Sequence, residues 1–181
     1  MHRNGLEMTE KTPETLSEPW LRGTLTNIPP VARGVVHALQ LADEDIQKWC
    51  VSLTDEELNA KPYGLPSVAF HLRHIARSLH RLLIYAEGEQ LSEAQLAALR
   101  SEGEPDATRK DLFAEWSASL EATGRRVRIL AKQDQALVRT VGRKALPTTI
   151  GGLLVHLADH TQRHVGQAIT TAKLLLAMRQ S

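Results

Sequence analysis

Residues 149–178 read TIGGLLVHLADHTQRHVGQAITTAKLLLAM. No proline falls among them, and proline is what breaks a helix, since it lacks an N–H and crowds the preceding turn. Ile150, Leu153, Leu157, Thr161, His164, Ala168, Ala172 and Leu175 recur at three- and four-residue spacing. That is the stripe of one helix face. Thr148 or Thr149 is placed to cap its start, and the helix is expected to run to about Met178. Three histidines ride on it: His156, His160 and His164. Residues four apart share a helix face, with Cβ atoms about 5–6 Å apart. At about 100° per residue, His164 falls at the centre of the apolar face, His160 about 40° to one side, and His156 near the edge.

Working outward, prolines stand at 13, 19, 29, 30, 62, 66, 105 and 147. They leave four long proline-free stretches. In the first, Val35, Leu39, Ala42, Ile46, Trp49 and Leu53 trace a helix face, and Thr54 to Glu57 form a capping box that opens a short extra turn. The second helix opens at Ser67, a good N-cap. Its stripe is Val68, Leu72, Ile75, Leu79, Leu82 and Ala86, and Gly88 is a C-terminal stop. Ser92 to Gln95 form another capping box, for a short helix to about Arg100 inside a long connection over 88–107. The third helix runs from Thr108 to about Gln133 on Leu112, Trp116, Leu120, Val127 and Leu130. Gly124 interrupts it and suggests close packing. Residues 134–148 read as loop, and no stretch alternates like a strand. The sequence predicts an all-α four-helix bundle over 29–181. An arm over 1–28 is left to pack on the bundle or on a partner.

Composition narrows the function. Of 181 residues, 22 are Lys or Arg and 21 Asp or Glu, for a net charge of +1. Such a chain has no overall field for a polyanion, so no nucleic-acid partner is expected. The single cysteine, Cys50, rules out an internal disulfide and any cysteine-built zinc or iron–sulfur site. It follows Trp49 on an apolar face and reads as a buried, inert thiol. No run of 18 apolar residues is present, so no membrane partner is expected. The first residues lack the apolar core of a signal peptide, and a cytoplasmic location is expected. HExxH, GxSxG, a P-loop, GxGxxG and the Glu-x-x-His pairs of di-iron bundles are absent from the sequence.

Against this background the chain carries eight histidines. His2, His37 and His80 are set aside, His80 as solvated. His71 and His74 lie three apart on the second helix, facing the series on the fourth. A buried polar group needs a partner, and imidazoles from two facing helices can share one metal ion. Three protein ligands with an open position is the arrangement of a catalytic zinc site. The competing reading is that each ring hydrogen-bonds a carbonyl or carboxylate in a metal-free helical module. Arg73, Arg77 and Arg81 form a row opposite the apolar face and read as solvated. Gly166 suggests a close helix approach. Gln167 lies on the side of His160, where it can orient a ligand or a water.

The segment SVAFHLRHIARSLHRLL resembles the second helix of the DinB/YfiT-like metal-binding superfamily, and HLADHTQRHVGQAI resembles its fourth. The resemblance covers about 31–179. It implies a four-helix bundle with an unusual order of helix directions, holding a divalent metal, commonly zinc or nickel, on three histidines. It also implies a metal-dependent enzyme acting on a small-molecule substrate. That enzyme would be a transferase using a low-molecular-weight thiol, or a related isomerase or hydrolase, and a homodimer. Residue by residue, the ligands become His74, His160 and His164, with His74 chosen because it precedes the Ile75-Ala76 pattern. The helical wheel instead sets His71 nearer the apolar face, so His71 stands as an alternative or as a neighbour in the pocket wall. His156 and Gln167 are expected to line the surroundings. A non-catalytic metal-binding or structural module is the alternative function. Three imidazoles suit zinc, nickel, copper and iron alike.

Overall fold

The computed structural model describes residues 17–98 and 107–179. Except for α1, its helices start where short side chains can accept the orphan N–H groups of a first turn. α1 spans Pro30–Cys50. It begins earlier than the apolar stripe suggests, because proline's preset φ and missing N–H are harmless in a first turn. The short α2, Asp55–Asn59, carries the full capping box: Glu57 N–H donates to Thr54 Oγ1 at 3.2 Å, and Thr54 N–H to Glu57 Oε2 at 2.8 Å. α3, Val68–Glu87, is capped by Ser67, whose Oγ accepts from Phe70 N–H at 3.1 Å. It stops at Gly88, whose φ of 91° suits a residue without a Cβ. The short α4, Glu93–Ala98, opens on the Ser92–Gln95 box; its expected continuation to Arg100 lies outside the described residues. α5, Arg109–Leu130, is capped by Thr108, and α6, Ile150–Met178, by Thr149.

α6 packs against α1 along one flank and α3 along the other, and α5 closes on α3. The core between them holds Ala42, Ile46, Leu72, Ile75, Leu79, Trp116, Leu154, Leu157 and Ala168, all at most 1% exposed. The buried Trp116 donates its indole N–H to Asp43 Oδ1 at 2.9 Å, tying α5 to α1. Of the expected arm, residues 17–28 lie against α1. Arg22 pairs with both oxygens of Glu44 at 2.5 and 2.7 Å, Ile28 is buried, and Thr24 Oγ1 sits 3.2 Å from His37 Nε2. No described helix is long and apolar enough to cross a membrane.

Several local expectations need correction. Residues 134–148 are not all loop: β1, Val138–Val141, pairs antiparallel with β2, Leu146–Thr149, with Val138 opposite Thr149. The strands are short, half exposed and interrupted by Pro147, so they leave no alternating pattern to read. The turn is made by left-handed residues, Gly142 at φ 70° and Ala145 at φ 48°. Gly124 does not mark a close helix approach. A Cβ there would meet only Arg128 Nη1 of its own helix, at 3.1 Å. Gly166 likewise has open space around it, with nothing within 4 Å of an added Cβ. The arginine row is not a solvated face either, because α5 packs over that side of α3. Arg77 Nε donates to Glu115 of α5 at 3.1 Å, and Arg81 Nη2 to Ser78 Oγ at 2.7 Å.

Candidate metal centre

The histidines meet where the first half of α3 faces the middle of α6. The wheel places His164 at the centre of the buried arc of α6, but the structure shifts that centre. Thr161 and Ala168 are fully buried there, Leu154 and Val165 join them, and His164 sits at the border, half-buried. The reason is that α6 packs on two sides, so its buried arc is wider than one stripe. The expected gradient survives: His160 is half-buried and His156 exposed.

His74, His160 and His164 form a group in which each ring offers a nitrogen, all within 4.8 Å of one another. Among the described residues this is the one such group. His74 Nε2 and His160 Nε2 are 3.1 Å apart. Two nitrogens bound to one zinc at about 2.0–2.1 Å in a tetrahedron lie roughly 3.4 Å apart, so this pair already has ligand spacing. The widest gap is at most 4.8 Å, so reaching the same spacing takes no more than about 1.4 Å. The donor set, three imidazoles from two helices, fits a divalent ion. Burial, with the neighbouring imidazoles adding to it, pushes His160 down to about 4. Its ring therefore keeps a free lone pair at neutral pH, as a metal ligand must.

His71 is the deepest ring of the cluster at 1% exposed, as the wheel of the second helix indicates. It is nevertheless outside the three-ring group. Its Nδ1 lies 3.2 Å from Nδ1 of His164, and its Nε2 is buried with no hydrogen-bond partner. Burial pushes His71 down to about 4 as well. His156 stands beside His160, with ring centroids 5.6 Å apart. Gln167 is exposed on the rim of an adjoining cleft. Sequence reading passed over Phe70, whose ring stacks on His74 at 5.4 Å and 14°. Its position one turn before His74 was the available signal.

His80, His37 and Cys50 fall elsewhere. His80 is exposed and lines a separate cleft between α3 and α5. His37 is a hydrogen-bonded core histidine on α1. Cys50 is fully buried and burial drives its thiol up to about 12, so it stays an unreactive thiol.

Three histidines brought together by α3 and α6 are compatible with the metal sites that helical bundles build. The sequence profile of the DinB superfamily matches residues 38–168, more than half of the chain, and the protein belongs to that superfamily. No curated protein matches the chain.

Proposed function

We propose that this protein is a metal-dependent enzyme that holds one divalent ion, zinc or nickel, on His74, His160 and His164. The observation that carries this reading is the convergence of three ring nitrogens within 4.8 Å from two helices, on rings that remain half-exposed. Partial exposure supports an open coordination position, the feature that separates catalytic from structural sites. When bound, the ion supplies Lewis-acid chemistry to an oxygen or sulfur donor that reaches that position. The chain's own part is orientation. His160 and His164 are held one turn apart by α6, His74 is held by α3, and Phe70 covers one face of the His74 ring. We further propose a low-molecular-weight thiol as co-substrate, an electrophilic small molecule as acceptor, a homodimeric assembly and a cytoplasmic location; the superfamily resemblance supports the thiol and the dimer, and the polar first residues support the location. The lone cysteine is buried, so a reacting thiol would have to come from outside the chain.

The test is a screen of low-molecular-weight thiols with electrophilic acceptors, run on protein loaded with zinc and with nickel. Thiol consumption that needs the ion and disappears in H160A supports the enzyme. Metal-loaded protein that consumes no thiol across the screen overturns the transferase reading in favour of a non-catalytic metal module.

A further inference from the structure

Two facing imidazole nitrogens, Nδ1 of His71 and Nδ1 of His164 at 3.2 Å, hold one proton between them when both rings are neutral. If His164 gives Nε2 to an ion, its own proton must sit on Nδ1. His71 Nδ1 is then the acceptor, and the proton of His71 is confined to Nε2. That nitrogen is buried and has no partner. A buried donor left unpaired is rare in folded proteins and calls for an explanation.

The surroundings supply one. His71 forms part of the wall of a cleft of about 290 Å³ between Pro66, just ahead of α3, and α6. Arg163, Gln167, Thr170 and Thr171 complete the polar wall, and among the described residues no acidic side chain lines it. Thr170 and Thr171 spend their hydroxyl protons on the carbonyls of Gly166 at 2.9 Å and Pro66 at 3.2 Å. Arg163 is bonded to Asp159 one turn back along the helix. The wall therefore presents a guanidinium and an amide, with the buried, unpartnered His71 Nε2 in the layer behind them, a donor set that matches an anionic oxygen once that nitrogen is reached.

We propose that His71 is a relay between the metal centre and a carboxylate subsite in this cleft. It accepts from His164 on Nδ1 and gives its Nε2–H to a carboxylate oxygen of the substrate. The proposal rests on the metal reading above and adds to it the chemical class of the ligand. His71 is a positioning residue toward the ion and a binding residue toward the carboxylate.

The experiment uses the full chain, nitrogen-15 labelled and loaded with zinc, with acetate as the probe. Zinc uptake by the unsubstituted protein is measured first; its absence fails the metal reading and the relay together. With zinc bound, long-range proton–nitrogen NMR is expected to show His71 protonated on Nε2, and acetate is expected to shift that signal to saturation. H71N can turn its amide oxygen toward His164 as acceptor, and its shorter side chain cannot carry an N–H to the place of Nε2, so zinc affinity is expected to stay near that of the unsubstituted protein while the acetate response disappears. H71F deletes both groups, and zinc affinity is expected to fall roughly 10–100-fold, the range for outer-shell partners. If H71F does not fold, H71N and the unsubstituted protein decide the matter. An acetate response unchanged in H71N places acetate on the ion alone and overturns the relay. So does a His71 Nδ1 carrying the signature of a metal-bound nitrogen, or zinc affinity unchanged in a folded H71F.

Discussion

The two flanks of α6 handle their polar groups in opposite ways. Toward α1, Gln162 donates its amide to the carbonyl of Ala38 at 2.7 Å, and Lys173 lies over the Trp49 ring at 4.2 Å. These are ordinary solutions: an amide finds a carbonyl, and a cation finds an aromatic face. Toward α3, histidine meets histidine. His160 faces His74 and His164 faces His71, at 3.1 and 3.2 Å. Stability alone gives no reason to concentrate imidazoles at a helix contact, where burial disfavours the charged rings of His71 and His160. The α1 flank pairs its polar groups with the bundle itself, whereas the α3 flank, which also packs the bundle, carries the three-histidine group that could hold an ion.

The contrast can be broken by substitution, and the largest effect belongs to the α3 flank. H74A, H160A and H164A are each expected to lower zinc affinity more than 100-fold, beyond the roughly 10–100-fold range of outer-shell changes. Competition with a chromogenic chelator would measure it. An H164A protein that keeps full affinity would remove that residue from the centre.

Next comes the pH dependence of the metal-free protein. His71 and His160 titrate near 4 in the folded chain, below the ordinary histidine value of 6.5, because burial disfavours the charged rings. Between those values the unfolded chain binds more protons than the folded one. Stability is therefore expected to be complete above about pH 6.5 and to fall as pH drops toward about 4. Thermal denaturation across that window checks it. The loss should be smaller in H71N, and a flat profile in the unsubstituted protein would contradict the burial argument.

Smaller effects are expected on the other flank and on the rim. Q162A removes one hydrogen bond to α1 and should lower stability by about 0.5–1.5 kcal/mol, with zinc affinity unchanged. G166A introduces a methyl into open space on an exposed helical position. It should raise stability by up to about 1 kcal/mol. Chemical denaturation separates both from zero, and a destabilised G166A would mean that the rim is tighter than its geometry shows.

The bundle was legible because its punctuation is local. Thr54, Ser67, Thr108 and Thr149 each cap the helix that follows, and Gly88 ends α3, all on chemistry contained within a few residues. The hairpin over 138–149 was not legible, since its register depends on a turn of left-handed residues and its strands bury little. The arginines of α3 were misread because periodicity shows which side is polar, not whether a neighbouring helix covers it.

The metal group tests a different kind of inference. Depth on the wheel favoured His71, and His71 is indeed deeper than His74. Yet His74 is the ring that joins His160 and His164. The three rings that converge sit at the border of the apolar face, so depth on the wheel does not pick out the group that could hold an ion. Family resemblance carried that choice where physical periodicity did not. His71, by the same logic, is placed one layer behind the centre, against His164.

The central claim is that the α3 flank of α6 is a metal site, and metal content tests it most directly. The protein would be purified without chelator or affinity tag, incubated with zinc, freed of excess ion and analysed for metal per chain. About one ion per chain is expected in the unsubstituted protein and in Q162A, and none in H164A, which lacks one of three ligands of a single tetrahedral site. An unsubstituted protein that retains no zinc, and none when nickel replaces it, would contradict the claim and leave the histidines as hydrogen-bonded residues of a helical module.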